Sequence, residues 1–175
     1  SSGSFVVEET SYNYRSSPLT AGNLLAAGSY SFAISSADNA GNSGTQSGFS
    51  VTVDNTAPTA SDIQTTNVPG GTTGKAETGD AIAFTFSEII DANSVLAGWT
   101  GTATTVTLRL VDGGAGSDSV QIWNAANTSQ LPLGTVNLGD TAYTSATVTF
   151  TGSTMTQSGA GITVALGTTA GTTTR

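Results

Sequence analysis

Gly48-Phe-Ser-Val-Thr-Val-Asp-Asn-Thr-Ala-Pro58 decides how the chain is read. Phe49, Val51 and Val53 alternate with Ser50 and Thr52, the two-residue period of a strand with one buried face. Asp54, Asn55 and Thr56 break the alternation. Pro58 then fixes its own φ and biases Ala57 toward extended backbone. A strand that runs into a stiff, extended joint closes one β-unit and hands the chain to the next.

Upstream, Gly28-Ser-Tyr-Ser-Phe-Ala-Ile34 places Tyr30, Phe32 and Ile34 on one strand face. Asp38-Asn-Ala-Gly-Asn42 is a turn, so the two strands are expected to form a hairpin. The approach Leu25-x-x-Gly28-x-Tyr30 suggests a tyrosine at a sandwich corner. Earlier apolar positions are short patches, Phe5-Val6-Val7 and Tyr12/Tyr14, followed by Leu19, Leu24 and Leu25 around polar turns.

Downstream of Pro58 the pattern restarts. Ile63 begins a modest strand, and Gly70–Asp80 is a long polar loop. Ala81–Phe86 is a strong strand with Ile82, Phe84 and Phe86 on the buried face. Ile89–Trp99 has room for a helical turn, with Trp99 closing over the core. Further strands are expected at 104–111, 118–123, 131–138, 146–151 and 161–166, separated by turn clusters at sandwich-like spacing.

Composition agrees. Gly accounts for 22 of 175 residues and charged residues for only 9%, which favours strands and turns over long helices. Twelve acidic and four basic residues give a net charge of −8. With no basic cluster to neutralise phosphates, nucleic acid and anionic membrane surfaces are poor partners. No run approaches the roughly 18 apolar residues of a membrane span, and no signal peptide is visible in residues 1–30. The chain has no initiator Met and is expected to be a mature product or a fragment of something longer. It also lacks Cys and His. Disulfides, thiolate metal sites and Ser-His-Asp chemistry are therefore excluded, and an enzyme is not expected.

The residues of 19–58, above all Asp38-Asn-Ala-Gly-Asn42 and Val53-Asp-Asn-Thr-Ala-Pro58, resemble the C-terminal half of a bacterial immunoglobulin-like repeat, a type found in tandem in large surface proteins and adhesins. Residues 59–175 resemble another such domain more loosely, through Gly74-Lys-Ala-Glu-Thr-Gly-Asp80, Phe84-Thr-Phe-Ser-Glu88 and Ala97-Gly-Trp99. The resemblance implies an all-β chain of two immunoglobulin-like β-sandwich units in tandem. Residues 1–56 would be the C-terminal part of one, and 57–175 a second lacking its usual last strand. A complete domain takes about 90–100 residues and only about 54 precede the joint, so the first unit is expected to be incomplete. The second is expected to be so because the sequence reaches Gly171-Thr-Thr-Thr-Arg175 before the closing strand of such repeats. An open sandwich exposes an edge for strand addition from a neighbouring repeat or an identical subunit.

Asp38, Asn39 and Asn42 in the turn, with Asp54 and Asn55 at the joint, are the candidate metal ligands. Calcium takes oxygen ligands of these kinds, and in related repeats joint aspartates bind calcium in some members. The competing reading is turn chemistry, Asp and Asn tolerating αL backbone and closing Asx turns. Asp112 and Asp118 around a Gly-rich turn are either another cation site or solvated turn aspartates. Lys75 with Glu77 and Asp80 reads as a surface ion pair, and Glu88 with Asp91 as turn capping. Trp99 and Trp123 are either core or a sugar-stacking platform, and Asn127-Thr-Ser129 fits a glycosylation acceptor.

The expected function is structural: an extracellular, cell-surface spacer or filament segment of a repetitive protein, such as an adhesin stalk. The alternative is a glycan- or protein-binding β-sandwich module that works through the loops around 70–80 or 112–118.

Overall fold

The computed structural model describes residues 5–7, 10–12, 26–169 and 171–174. It is all-β, with antiparallel pairing throughout the described residues. The chain divides into two compact units, Ser1–Ala57 and Pro58–Arg175. The apolar positions at Tyr14, Leu19, Leu24 and Leu25 lie outside the described residues.

In the first unit, β1 (Phe5–Val7) pairs with β2 (Thr10–Tyr12), and β3 (Gly28–Ala37) pairs with β4 (Ser43–Val53). The β3–β4 ladder runs from Gly28 opposite Val53 to Ala37 opposite Ser43, with Tyr30 facing Val51 and Phe32 facing Phe49. The Phe32 and Phe49 rings stack with centroids 5.3 Å apart. Alternation located the second strand from Gly48 onward, but β4 starts five residues earlier. The reason is a bulge between Phe32 and Ile34, where Gly48 takes φ 92°, a left-handed conformation that costs glycine little. The bulge interrupts the alternation, so the early half of the strand does not read as one.

The second unit is one continuous antiparallel sheet. Its strands are β5 (Ala60–Thr66), β6 (Ala81–Phe86), β7 (Thr104–Val111), β8 (Ser119–Asn124), β9 (Gln130–Asn137), β10 (Val148–Ser158), β11 (Gly161–Ala165) and β12 (Thr168–Thr169). They hydrogen-bond in the order β5-β6-β11-β10-β7-β8-β9, with β12 also on β10. The sheet ends in β5 and β9. Pro132 in β9 suits such an edge, because proline cannot donate to a ladder on its outer side.

The sheet curls at β10. This strand pairs with β7 along its length, interrupted by a bulge between Phe150 and Ser153, and its other side exchanges β12 for β11 across the same bulge. Curling wraps one apolar face around a single core. Ile82 and Phe84 of β6, Val106, Leu108 and Leu110 of β7, and Ile122 of β8 are all buried there. Phe150 and Met155 of β10 and Ile162 and Val164 of β11 complete it. A single helical turn, α1 (Ala92–Val95), contributes Val95, and Trp99 closes over the core at 6% exposure.

Candidate functional site

The proposed calcium ligands occur in two separate groups. In the β3–β4 turn, Asp38 Oδ1 accepts hydrogen bonds from the Ala40 and Asn42 amides, each at 2.9 Å. Its Oδ2 accepts one from Asn42 Nδ2 at 2.8 Å. These donors, the Asn42 side chain first, hold the Asp38 carboxyl below its ordinary pKa. At the joint, Asp54 Oδ1 accepts from the Thr56 amide at 2.9 Å, an Asx turn. Register separates the groups: Asp38 follows Ala37 at one end of the ladder, while Asp54 follows Val53, paired with Gly28 at the other. Nine residues of strand at about 3.4 Å each put roughly 30 Å between those ends. The structure therefore does not bring Asp38, Asn39 and Asn42 together with Asp54 and Asn55. Each group holds one carboxylate, against the six to eight oxygens that calcium takes. Among the described residues, no group of three or more His, Cys, Asp or Glu side chains is placed to hold a metal ion.

Asp118 is not a solvated turn residue. Its side chain is completely buried, and it accepts from the backbone N–H groups of Gly113 at 3.1 Å, Tyr143 at 2.9 Å and Thr144 at 3.0 Å. These bonds hold its carboxyl below the ordinary value although burial opposes them. Asp118 thus ties the 112–118 turn to the 138–144 loop. Asp112 instead caps its own turn, accepting from the Gly114 amide at 2.8 Å. Buried Asp80 accepts from Val68 and Glu77 amides, each at 2.8 Å. Lys75 Nζ lies 3.7 Å from Glu77 Oε1 on the surface. Asp91 accepts from the Asn93 amide at 3.0 Å and caps α1.

The two tryptophans point to different places. Trp99 belongs to the core, and its Nε1 donates to the Thr102 carbonyl. Trp123 alternates with buried Val120 and Ile122 and so projects from the opposite face of β8. The Arg109 guanidinium covers one side of its ring, with Cζ 3.5 Å from the ring centroid. Arg109 also donates from Nε to Asn127 Oδ1 at 2.6 Å and from Nη2 to the Asn127 carbonyl at 2.9 Å. No joint sugar-stacking platform is built from the two rings. Sequence reading missed Arg109, and the available signal was its period-2 partnership with Trp123 across adjacent strands.

Four of the six exposed large hydrophobic residues among the described residues lie on the β3–β4 hairpin. Phe32 is 38% exposed, Ile34 55%, Phe49 38% and Val51 50%. Neither strand contains a charged residue. Long, uncharged, apolar strands of this kind are what sheet proteins ordinarily cover or blunt with charge. Among the described residues, no helix is long and apolar enough to cross a membrane. No protein-family model, no characterised protein and no solved structure matches the chain.

Proposed function

We propose that the chain is a structural segment of a repetitive extracellular surface protein, two immunoglobulin-like units in series, in which the β3–β4 hairpin is completed by strands or a face from a neighbouring repeat or an identical subunit. The observation that carries this reading is the apolar, charge-free hairpin face of Phe32, Ile34, Phe49 and Val51. The immunoglobulin-like assignment draws support from Tyr30, whose hydroxyl donates to the Ala26 carbonyl at 2.8 Å. A tyrosine hydroxyl bonded to backbone a few residues upstream is the tyrosine corner of such sandwiches.

Magnitudes favour tethered neighbours over free copies. Covering what remains exposed of the four side chains is worth roughly 1 kcal/mol each. Two copies that cover each other's four side chains gain about 8 kcal/mol in all, a surplus of roughly 4 kcal/mol over the lower bound of the cost of association, about 4–15 kcal/mol. Linked repeats meet at millimolar effective concentration and overcome that cost more readily. Free chains are accordingly expected to associate only near 1 mM. Sedimentation velocity across concentration, with Phe49→Lys as the comparison, tests the reading. Self-association that Phe49→Lys weakens at least tenfold supports it. A strictly monomeric chain at about 1 mM, with hairpin amides no better protected than in dilute solution, overturns it.

A further inference from the structure

The second unit carries a cavity along one side of its core. It measures about 180 Å³ and is walled by core side chains, Ile82, Leu108, Leu110, Val120 and Leu166, with Tyr143 at its side. Its lining also takes in Thr66, Asn67 and Gly74, which are exposed, so it opens at the surface. A dry apolar cavity of roughly 150 Å³ is enough to hold one benzene ring. Sites for small molecules combine such a wall with few polar groups.

The polar groups here restrict what fits. Asp80 is the only carboxylate in the lining, and both its oxygens already accept backbone N–H bonds, from Val68 and Glu77. Lys75, the only lysine of the chain, is the one cation in the lining. Its ammonium has three donors, and its contact with Glu77 at 3.7 Å is longer than a hydrogen bond. Lys75 can therefore take a new acceptor without giving up that ion pair. One cation and one anion leave the lining without net charge, which matches an uncharged ligand.

The geometry points to a binding site for a neutral, ring-sized apolar molecule that bears one hydrogen-bond acceptor, the ring in the cavity and the acceptor on Lys75. The probe is acetophenone, set against toluene, which has the ring but no acceptor, and benzylammonium, which brings a cation. Methyl NMR of the full chain reads the result. Saturable shifts of Ile82, Leu108, Leu110 and Val120 are expected with acetophenone. Binding of toluene should be about 5–10-fold weaker, the worth of one hydrogen bond, and benzylammonium weaker still. Lys75→Met should reduce acetophenone to the toluene level. Thr66→Trp, a bulky residue at an exposed strand position of the mouth, should abolish both while the melting midpoint is kept. Absence of saturable shifts, a preference for acetophenone that survives Lys75→Met, or binding unaffected by Thr66→Trp would each overturn the proposal.

Discussion

The hydroxyl of Ser153 accepts a hydrogen bond from the Gly167 amide at 3.0 Å and donates one to the Phe150 carbonyl at 2.9 Å. Ser153 is completely buried, and this pair of bonds closes the β10 bulge about which the sheet curls. A Cβ at Gly167 would lie 2.1 Å from the Thr151 carbonyl oxygen, a backbone atom that cannot swing aside. Gly167→Ala is thus expected to cost roughly 3 kcal/mol through forced backbone displacement. Ser153→Ala, which removes the acceptor of the half-buried Gly167 N–H and the donor to the buried Phe150 C=O, is expected to cost about 2 kcal/mol. Urea unfolding followed by tryptophan fluorescence measures both, since Trp99 and Trp123 lie in the second unit. Wild-type stability in Gly167→Ala would show that the bulge does not control the curl.

Asp118 makes acid stability predictable in sign. Its folded-state carboxyl is held below the ordinary value because Gly113, then Thr144 and Tyr143, donate backbone hydrogen bonds to the ionised form. A depressed carboxyl contributes stability that is complete above the unfolded value of about 3.9 and is lost as pH falls through the folded one. The second unit is therefore expected to hold its midpoint from pH 7 to about 5 and to weaken below about 4. Asp118→Asn presents an amide N–H₂ to backbone donors. It is expected to melt on the order of 10 °C lower at pH 7, with a flatter acid limb. Thermal melts of both chains between about pH 2.5 and 7 read this directly, and an equally steep acid limb in the variant would remove the assignment.

The aspartates of the hairpin are predicted to work through hydrogen bonds and not through calcium. Asp38 closes the turn with three bonds from Ala40 and Asn42, and Asp54 holds Thr56. Adding calcium or a chelator should move the melting midpoint by less than about 1 °C, because a ligand that does not bind shifts nothing. Asp38→Ala should loosen the turn, seen as faster amide exchange at Gly41 and Asn42, by roughly tenfold for one to two lost bonds. A midpoint that rises with calcium and falls with chelator would restore the metal reading.

Most of the strands were legible because a strand writes its geometry locally. Ala81–Phe86 and Thr104–Val111 coincide with β6 and β7, and the strand expected at 161–166 differs from β11 by one residue. Alternation of side chains is imposed by the backbone itself, so Ile82, Phe84, Leu108 and Leu110 announce a buried face without knowledge of what covers it. Trp99 over the core was likewise foreseeable from a large aromatic after a helical turn. Where the backbone departs from regularity, legibility ended. The Gly48 bulge hid half of β4, and the strand expected at 146–151 is in fact Val148–Ser158, continued through the Phe150–Ser153 bulge.

By itself the sequence determined an all-β chain of acidic surface, poor in charge within its strands and without the side chains for thiol or histidine chemistry. Only the tertiary structure decided what each polar or apolar residue faces. Asp118 and Asp112 are both turn aspartates in sequence, yet one is sealed under three backbone donors and the other caps its own turn. Tyr143 and Thr144, which bind Asp118, lie 25 and 26 residues away along the chain. In the same way, Phe32 and Phe150 both sit on apolar strand faces, but one remains 38% exposed and the other 0%. Burial depends on what arrives opposite a face, and that is set by pairing order and by the curl at β10, which no local pattern encodes.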